Sequence, residues 1–296
     1  MTETDASLLD SPSAASSRVT VADGVELHVV RAGDPADPLL VLLHGFPDFW
    51  YGWRRQVPAL VEAGFRVLVP DQRGYNLSDR PRGLDAYRMG RLSGDVADIV
   101  DAAGRESAHV LGHDWGGGVA WDFAMRYPDA IDRLGVINAP HPGVMERAIT
   151  TDPRQLRRSW YFLYFQLPRL PEWYLARDDA AGVVRTLRET SAPGAFADAE
   201  FSHYRAAFAE AETARAAVDW YRAVVRRRDP PPRDRVEAPA LLVWGDEDFG
   251  LLPELADRSL ERCTTGRLER VADGSHWVHR EEPGRVNALL VEHFGE

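Results

Sequence analysis

Val110-Leu111-Gly112-His113-Asp114-Trp115-Gly116-Gly117-Gly118 decides how this chain is read. An apolar run ends, an acidic residue stands between glycines, and a helical pattern begins. This is the layout of a nucleophile elbow, Gly-x-nucleophile-x-Gly, whose glycines let backbones pack closely through a strained strand-to-helix turn. The usual occupant of the central position is Ser; here it is Asp114, and no Gly-x-Ser-x-Gly occurs elsewhere. Ordinary esterase chemistry therefore lacks its nucleophile. A carboxylate needs no base to attack saturated carbon, and the alkyl ester it forms must later be cleaved by water. The bland alternative is that Asp114 only caps the following helix.

Working outward, short apolar runs alternate with helical patterns. Val19 to Val21 and Glu26 to Arg31 read as a hairpin around Asp23-Gly24. Leu39 to Leu43, Arg66 to Pro70, His109 to Leu111 and Leu134 to Ile137 read as strands, with helices near 52–63, 90–103 and 116–127 between them. The alternation stops over residues 141–235, where only helical periodicity remains, rich in Trp, Tyr and Phe. It resumes with Ala240 to Trp244, a helix near 253–262, a strand near 267–271 and a last helix near 283–294. The expectation is an α/β fold with a mostly parallel sheet, helices on both faces and an inserted helical cap. The divisions are a loose tail over 1–17, core over 18–140, cap over 141–235, and core again over 236–296.

Ester cleavage needs a water-activating His held by an acid. Asp273-Gly274-Ser275-His276-Trp277 places a His after one strand, and Trp244-Gly245-Asp246-Glu247-Asp248 places acids after the strand before it. His276 is the expected general base, with Asp248 orienting it; Asp246 competes, and spacing alone does not separate the two. The order nucleophile, acid, His is that of a known hydrolase plan. His44-Gly45-Phe46-Pro47 follows the first long apolar strand. The backbone N–H groups of Phe46 and Trp115 are candidates to receive an oxyanion, and Pro47 is a candidate for a cis bond that aims the loop. The remaining histidines read as surface or core residues. No pair has metal-ligand spacing, so neither metal nor cofactor is expected.

Composition bounds the alternatives. The 296 residues are 45% hydrophobic with a net charge of −11, which fits a globular chain and argues against nucleic acid. Arg226-Arg227-Arg228, the one dense basic run, reads as a solvated helix end. The start, MTETDASLLDSPSAASSR, lacks a basic-then-apolar leader, and no segment approaches a bilayer span. Cys263 is the only cysteine, so no intrachain disulfide forms and a cytoplasmic setting is expected.

Taken together, His44-Gly45-Phe46-Pro47, Asp71-Gln72-Arg73-Gly74-Tyr75-Asn76-Leu77-Ser78-Asp79, Gly112-His113-Asp114-Trp115-Gly116-Gly117 and Gly274-Ser275-His276-Trp277 resemble the soluble epoxide hydrolases of the α/β-hydrolase superfamily. The match covers nearly the whole chain after the tail. The resemblance implies hydrolysis of a small-molecule epoxide by water to a vicinal diol, with two cap tyrosines assisting. The family's patterns land on Tyr161 and Tyr221, while Tyr164 reads as cap core and Asp71, Arg73 and Asp79 as a structural loop. Two phenols can hydrogen-bond a departing epoxide oxygen and supply its proton. The nearest rival is a haloalkane dehalogenase, which needs two N–H donors for halide: Trp115 offers one, and Trp160 or Trp220 stands as the second. A non-catalytic binding protein on the same fold is the other alternative, opposed by the intact set of Asp114, His276 and tyrosines. Homo-oligomer formation stays open.

Overall fold

The computed structural model of the chain describes Ala6, Leu9 and residues 14–296. Its strands are β1 (Ala15–Val21), β2 (Val25–Ala32), β3 (Leu39–Leu43), β4 (Arg66–Pro70), β5 (Ala108–His113), β6 (Ile131–Ile137), β7 (Ala240–Gly245) and β8 (Gly266–Val271). They form one sheet in the order β1-β2-β4-β3-β5-β6-β7-β8. The pairings β1/β2 and β2/β4 are antiparallel, and all the others are parallel. β3, β5 and β7 are buried at every residue, which requires cover on both sheet faces.

Helices α1 (Val57–Glu62), α2 (Met89–Ala102) and α3 (Trp115–Arg126) alternate with the first strands. Between β6 and β7 the described elements are all helical: α4 (Pro142–Thr151), α5 (Pro153–Arg158), α6 (Trp160–Tyr164), α7 (Leu170–Thr190), α8 (Phe201–Ala207) and α9 (Ala211–Arg226). After β7 come α10 (Glu254–Leu260), α11 (Val278–Glu281) and α12 (Pro283–Gly295). α2 packs on α3 and α1 on α12. None of the described helices is long and apolar enough to cross a membrane.

The chain leaves β3 toward β4 on one side and reaches β5 on the other. β3 and β5 are therefore neighbours whose connections diverge, and a crevice opens beyond their carboxyl ends. The loops holding His44-Gly45-Phe46-Pro47 and Asp114 both start there. The helical insert is tied over this crevice at several points. The Trp220 indole N–H donates to the Arg73 carbonyl at 3.0 Å, Arg80 Nε–H to Thr213 Oγ1 at 2.9 Å, and the Tyr204 hydroxyl to Asp48 Oδ1 at 3.0 Å. α4 differs from the rest of the insert: Val144 and Ala148 pack with Trp244, Leu251, Leu252, Leu255 and Ala256 beside α10.

Two expectations shift. The tail expected over 1–17 lies largely outside the described residues, but Ala15–Ser17 are strand, paired with Val29 to Arg31. β1 is an edge strand with alternating exposure, so Ser and Arg residues fit its outward positions and no apolar run marks its start. The helix expected near 52–63 is shorter. A 3₁₀ turn occupies Trp50–Trp53, and α1 begins at Val57 because Pro58, lacking an N–H, fits only a first turn.

The loop after β4 holds the crevice floor. Asp71 accepts from the Trp50 backbone N–H (3.1 Å), from Asn76 Nδ2 (2.7 Å) and lies 2.7 Å from His28 Nδ1. Arg73 grips Asp95 through two hydrogen bonds, its Nε at 2.8 Å, and both side chains are buried. Asp79 accepts from the Glu26 N–H at 2.9 Å. Removing one member of such a buried pair strands the other's charge. Arg73→Ala should therefore lower unfolding free energy by about 3–5 kcal/mol in urea titrations; a loss under about 1 kcal/mol would show that the pair does not hold the loop.

Candidate active site

β5 ends at His113, and α3 starts at Trp115, so Asp114 alone makes the turn. Its backbone sits at φ 51°, ψ −120°, a conformation L-residues rarely adopt. Close approach makes this turn feasible: a Cβ on Gly112 would lie 2.2 Å from the Gly116 carbonyl oxygen, and one on Gly116 2.1 Å from that of Leu43. The side chain is thereby lifted above the strand ends. It keeps 22% of its exposure, enough for a small molecule to reach it.

One carboxylate oxygen is committed. The Phe46 backbone N–H donates to Asp114 Oδ1 at 2.7 Å, across a loop whose Phe46–Pro47 bond is cis. A Cβ on Gly45 would stand 2.4 Å from that same oxygen, so only Gly fits. His44 braces the loop from below. Its Nε2 accepts from the Gln72 backbone N–H at 3.0 Å, which leaves Nδ1 to donate to the Gly45 carbonyl at 3.0 Å. Burial pulls the His44 pKa down, against the raising fields of Asp48 and Asp71.

The other oxygen, Oδ2, faces His276 Nε2 at 3.6 Å. On the far side of the ring, His276 Nδ1 lies 2.6 Å from Asp248 Oδ2. Asp246, the competing acid, turns away to Arg270 of β8. Asp248 is held by Asn138 Nδ2–H at 2.9 Å and by the N–H groups of Gly250 and Leu251 at 2.8 and 3.0 Å. Asn138 also bonds both backbone groups of Gly245, fixing the end of β7 to the end of β6. The sequence reading missed Asn138; its trace is a lone Asn ending a strand, here at φ 41°. His113, tied to the elbow in sequence, contacts the backbone of His276: its Nε2–H donates to the His276 carbonyl at 2.8 Å. Burial, then the neighbouring His276, pulls the His113 pKa down to about 3, so this ring stays neutral.

Burial opposes charge on His276, yet Asp248 and Asp114 outweigh it and push its pKa up to about 10. Asp114 is correspondingly held below the usual carboxylate range: burial works against this, but the hydrogen bond and charge of His276 prevail. The resting pair is thus imidazolium and carboxylate.

Both expected phenols come from the insert and feel the charge of Asp114. The Tyr161 and Tyr221 rings stand 6.1 Å apart at 83°. Burial first, then the charge of Asp114, raises both pKa values, so each hydroxyl keeps its proton as a donor. Tyr221 also packs on Phe46, Trp115 and Phe165. Tyr164, by contrast, packs partly buried against the core between Trp160 and Phe165. Neither cap Trp offers an N–H here: that of Trp220 goes to Arg73, and Trp160 is 61% exposed. Cys263 is buried away from the site, its thiol pushed up to about 12 by that burial.

Residues 38–283 match the alpha/beta hydrolase fold family. The chain belongs to that family. This hydrolase is 41% identical over 272 residues to the AB hydrolase superfamily protein YfhM of Bacillus subtilis (strain 168), spanning 92% of this chain and 95% of the relative. It is 32% identical over 313 residues to Epoxide hydrolase A of Mycobacterium tuberculosis, spanning 93% and 96%. A Bacillus megaterium epoxide hydrolase crystallised with an inhibitor superposes with a TM-score of 0.86 at 29% identity, covering 95% of this chain and 100% of that one. The resemblance carried by the four motifs thus meets relatives bearing that name.

Because Asp114 contributes both a hydrogen bond and a charge to the raised pKa of His276, Asp114→Asn should bring the imidazole titration down from about 10. A pH titration followed by NMR of the His276 ring reads this directly. An unchanged midpoint would mean that Asp248 alone sets it.

Proposed function

We propose that this hydrolase opens an epoxide to a vicinal diol through a covalent ester on Asp114. The observation carrying the reading is that one carboxylate faces a His–Asp pair while its charge is felt by two protonated phenols, Tyr161 and Tyr221. In this reading residues 141–235 serve as the cap that brings the phenols over the core.

In the first step Asp114 Oδ2 attacks an epoxide carbon as that carbon's bond to oxygen breaks. Tyr161 and Tyr221 hydrogen-bond the oxygen, strengthening their hold as charge builds, and one passes it a proton. Oδ1, already held by the Phe46 N–H, becomes the ester carbonyl oxygen. Esterification also removes the Asp114 charge. His276 then keeps only Asp248 to stabilise its proton, so its pKa falls, the proton passes to the phenolate left by the first step, and the neutral imidazole becomes available as a base. It takes a proton from water as the hydroxide adds to the ester carbon. The oxyanion on Oδ1 rests on the Phe46 and Trp115 backbone N–H groups. Collapse expels the diol alkoxide, which takes the proton from His276, and the carboxylic acid left on Asp114 passes its own proton to the neutral imidazole, restoring the resting pair.

The dehalogenase alternative loses support because halide needs a second donor beside Trp115. Trp220 is engaged with Arg73, and Trp160 faces solvent. A purely binding role leaves the pairing of His276 with Asp114 and Asp248 without a use.

Product analysis on a panel of aryl and alkyl epoxides and haloalkanes tests the reading. Diol should form, and Asp114→Ala should reduce it below about a thousandth of the parent rate while the circular dichroism spectrum is kept; halide release without diol would overturn the proposal. His276→Gln should trap a substrate adduct on Asp114, visible by mass spectrometry of the intact protein. Absence of an adduct with substrate bound would remove His276 from the hydrolytic step. Tyr161→Phe and Tyr221→Phe should each slow adduct formation by roughly tenfold to a hundredfold, with little effect on its breakdown.

A further inference from the structure

The two faces of α6 differ in what they meet. Tyr161, Phe162 and Phe165 turn inward toward Tyr221, while Trp160 and Leu163 stand 61% and 68% exposed. The apolar surface continues. Trp160 packs on Tyr164, and at the start of α7 the Arg177 guanidinium sits 5.8 Å from the ring of Tyr174 and 4.4 Å from that of Trp173, itself 56% exposed. Leu156, Leu167 and Leu170 on the same segment are each nearly half exposed. Large aliphatic and aromatic side chains gathered in this way on a water-facing surface mark a contact site.

The charge around this patch runs against the rest of the chain. Net charge is −11, yet residues 153–177 carry five arginines against one carboxylate, Glu172, which turns to Arg222. Arg157 and Arg169 make no ion pair with any described carboxylate. The acidic residues at the patch edge, Asp178 and Asp179, are matched with Arg177 and Arg205. Exposed Trp and Leu ringed by Arg is the composition of an interfacial segment on anionic lipid, where apolar side chains enter the headgroup boundary and arginines meet phosphates. A two-fold dimer through the same patch would set Arg157 and Arg169 against their own copies, so the charge favours lipid over a second copy.

We infer that the outer face of α5, α6 and the start of α7 docks this hydrolase peripherally on an anionic bilayer surface, without spanning it. The placement suits the site beneath. Phe249, 45% exposed, lies 6.3 Å from the Tyr161 ring and 5.7 Å from the His276 ring, so the crevice reaches the surface next to this patch. An apolar solute dissolved in the bilayer would meet the crevice on leaving the lipid.

Sedimentation with vesicles of phosphatidylglycerol and phosphatidylcholine tests the inference without relying on any activity. The protein should pellet with the mixed vesicles, less so with pure phosphatidylcholine, and be released by high salt. Arg157→Glu with Arg169→Glu, and separately Leu163→Ser with Trp173→Ser, should each weaken binding by on the order of tenfold. All four positions are exposed, so these variants should keep the parent's circular dichroism and adduct formation on Asp114. No pelleting with any vesicle, or pelleting unchanged by both double variants, would overturn the proposal. So would a dimer in sedimentation velocity that Leu163→Ser with Trp173→Ser dissolves, with vesicle binding absent; the patch would then join two copies of the chain.

Discussion

Close backbone contact at the carboxyl ends of β3 and β5 is the constraint on which the rest depends. Gly112, Gly116 and Gly45 leave no room for a side chain between the strand ends, α3 and Asp114. With that space removed, Asp114 is forced through a backbone conformation that would be avoided elsewhere, and its carboxylate is presented above the sheet. The same closeness brings the Phe46 N–H to one of its oxygens. The topology supplies the location, because the chain departs in opposite directions from these two neighbouring strands. The raised Asp114 carboxylate, the Phe46 N–H that meets it and the crevice therefore follow from a single packing solution.

A second layer of order is electrostatic. Asp114 is the charge felt in common by His276, Tyr161 and Tyr221. Burial and then this charge keep both phenols protonated, and together with Asp248 it holds a proton on the imidazole, so three proton donors surround a single carboxylate. His276 is held from both sides, by Asp248 through its ring and by His113 through its backbone carbonyl. Neutral His113 does this without adding a competing charge.

Much of this was legible because it is local in sequence. The elbow spans a few residues, and the strand and helix periods around it set the parallel sheet. What required the structure depends on rotation or on distant neighbours. Asp246 and Asp248 leave the same strand end, and only the path of the loop turns the first to Arg270 and the second to His276. Asn138 is one strand over from the acid it steadies, so its role exists only once β6 and β7 are paired. β1 begins with Ala15-Ser16-Ser17, residues whose polarity suits a sheet edge and reads as tail. Helical spacing fits Tyr161 and Tyr164 equally; the resemblance separated them, and the structure places one facing Tyr221 and the other facing Trp160.

The ties between the insert and the sheet have a consequence for motion. The indole of Trp220 on the Arg73 carbonyl, Arg80 on Thr213 and Tyr204 on Asp48 pin separate helices of the insert to loops of the core. Arg73 is itself locked to Asp95. A roof fastened at so many points cannot swing as one body without breaking buried hydrogen bonds together. Traffic through the crevice then falls to rotamer changes of single rings at its rim, such as Phe249, which take picoseconds to nanoseconds where hinge opening takes microseconds to milliseconds.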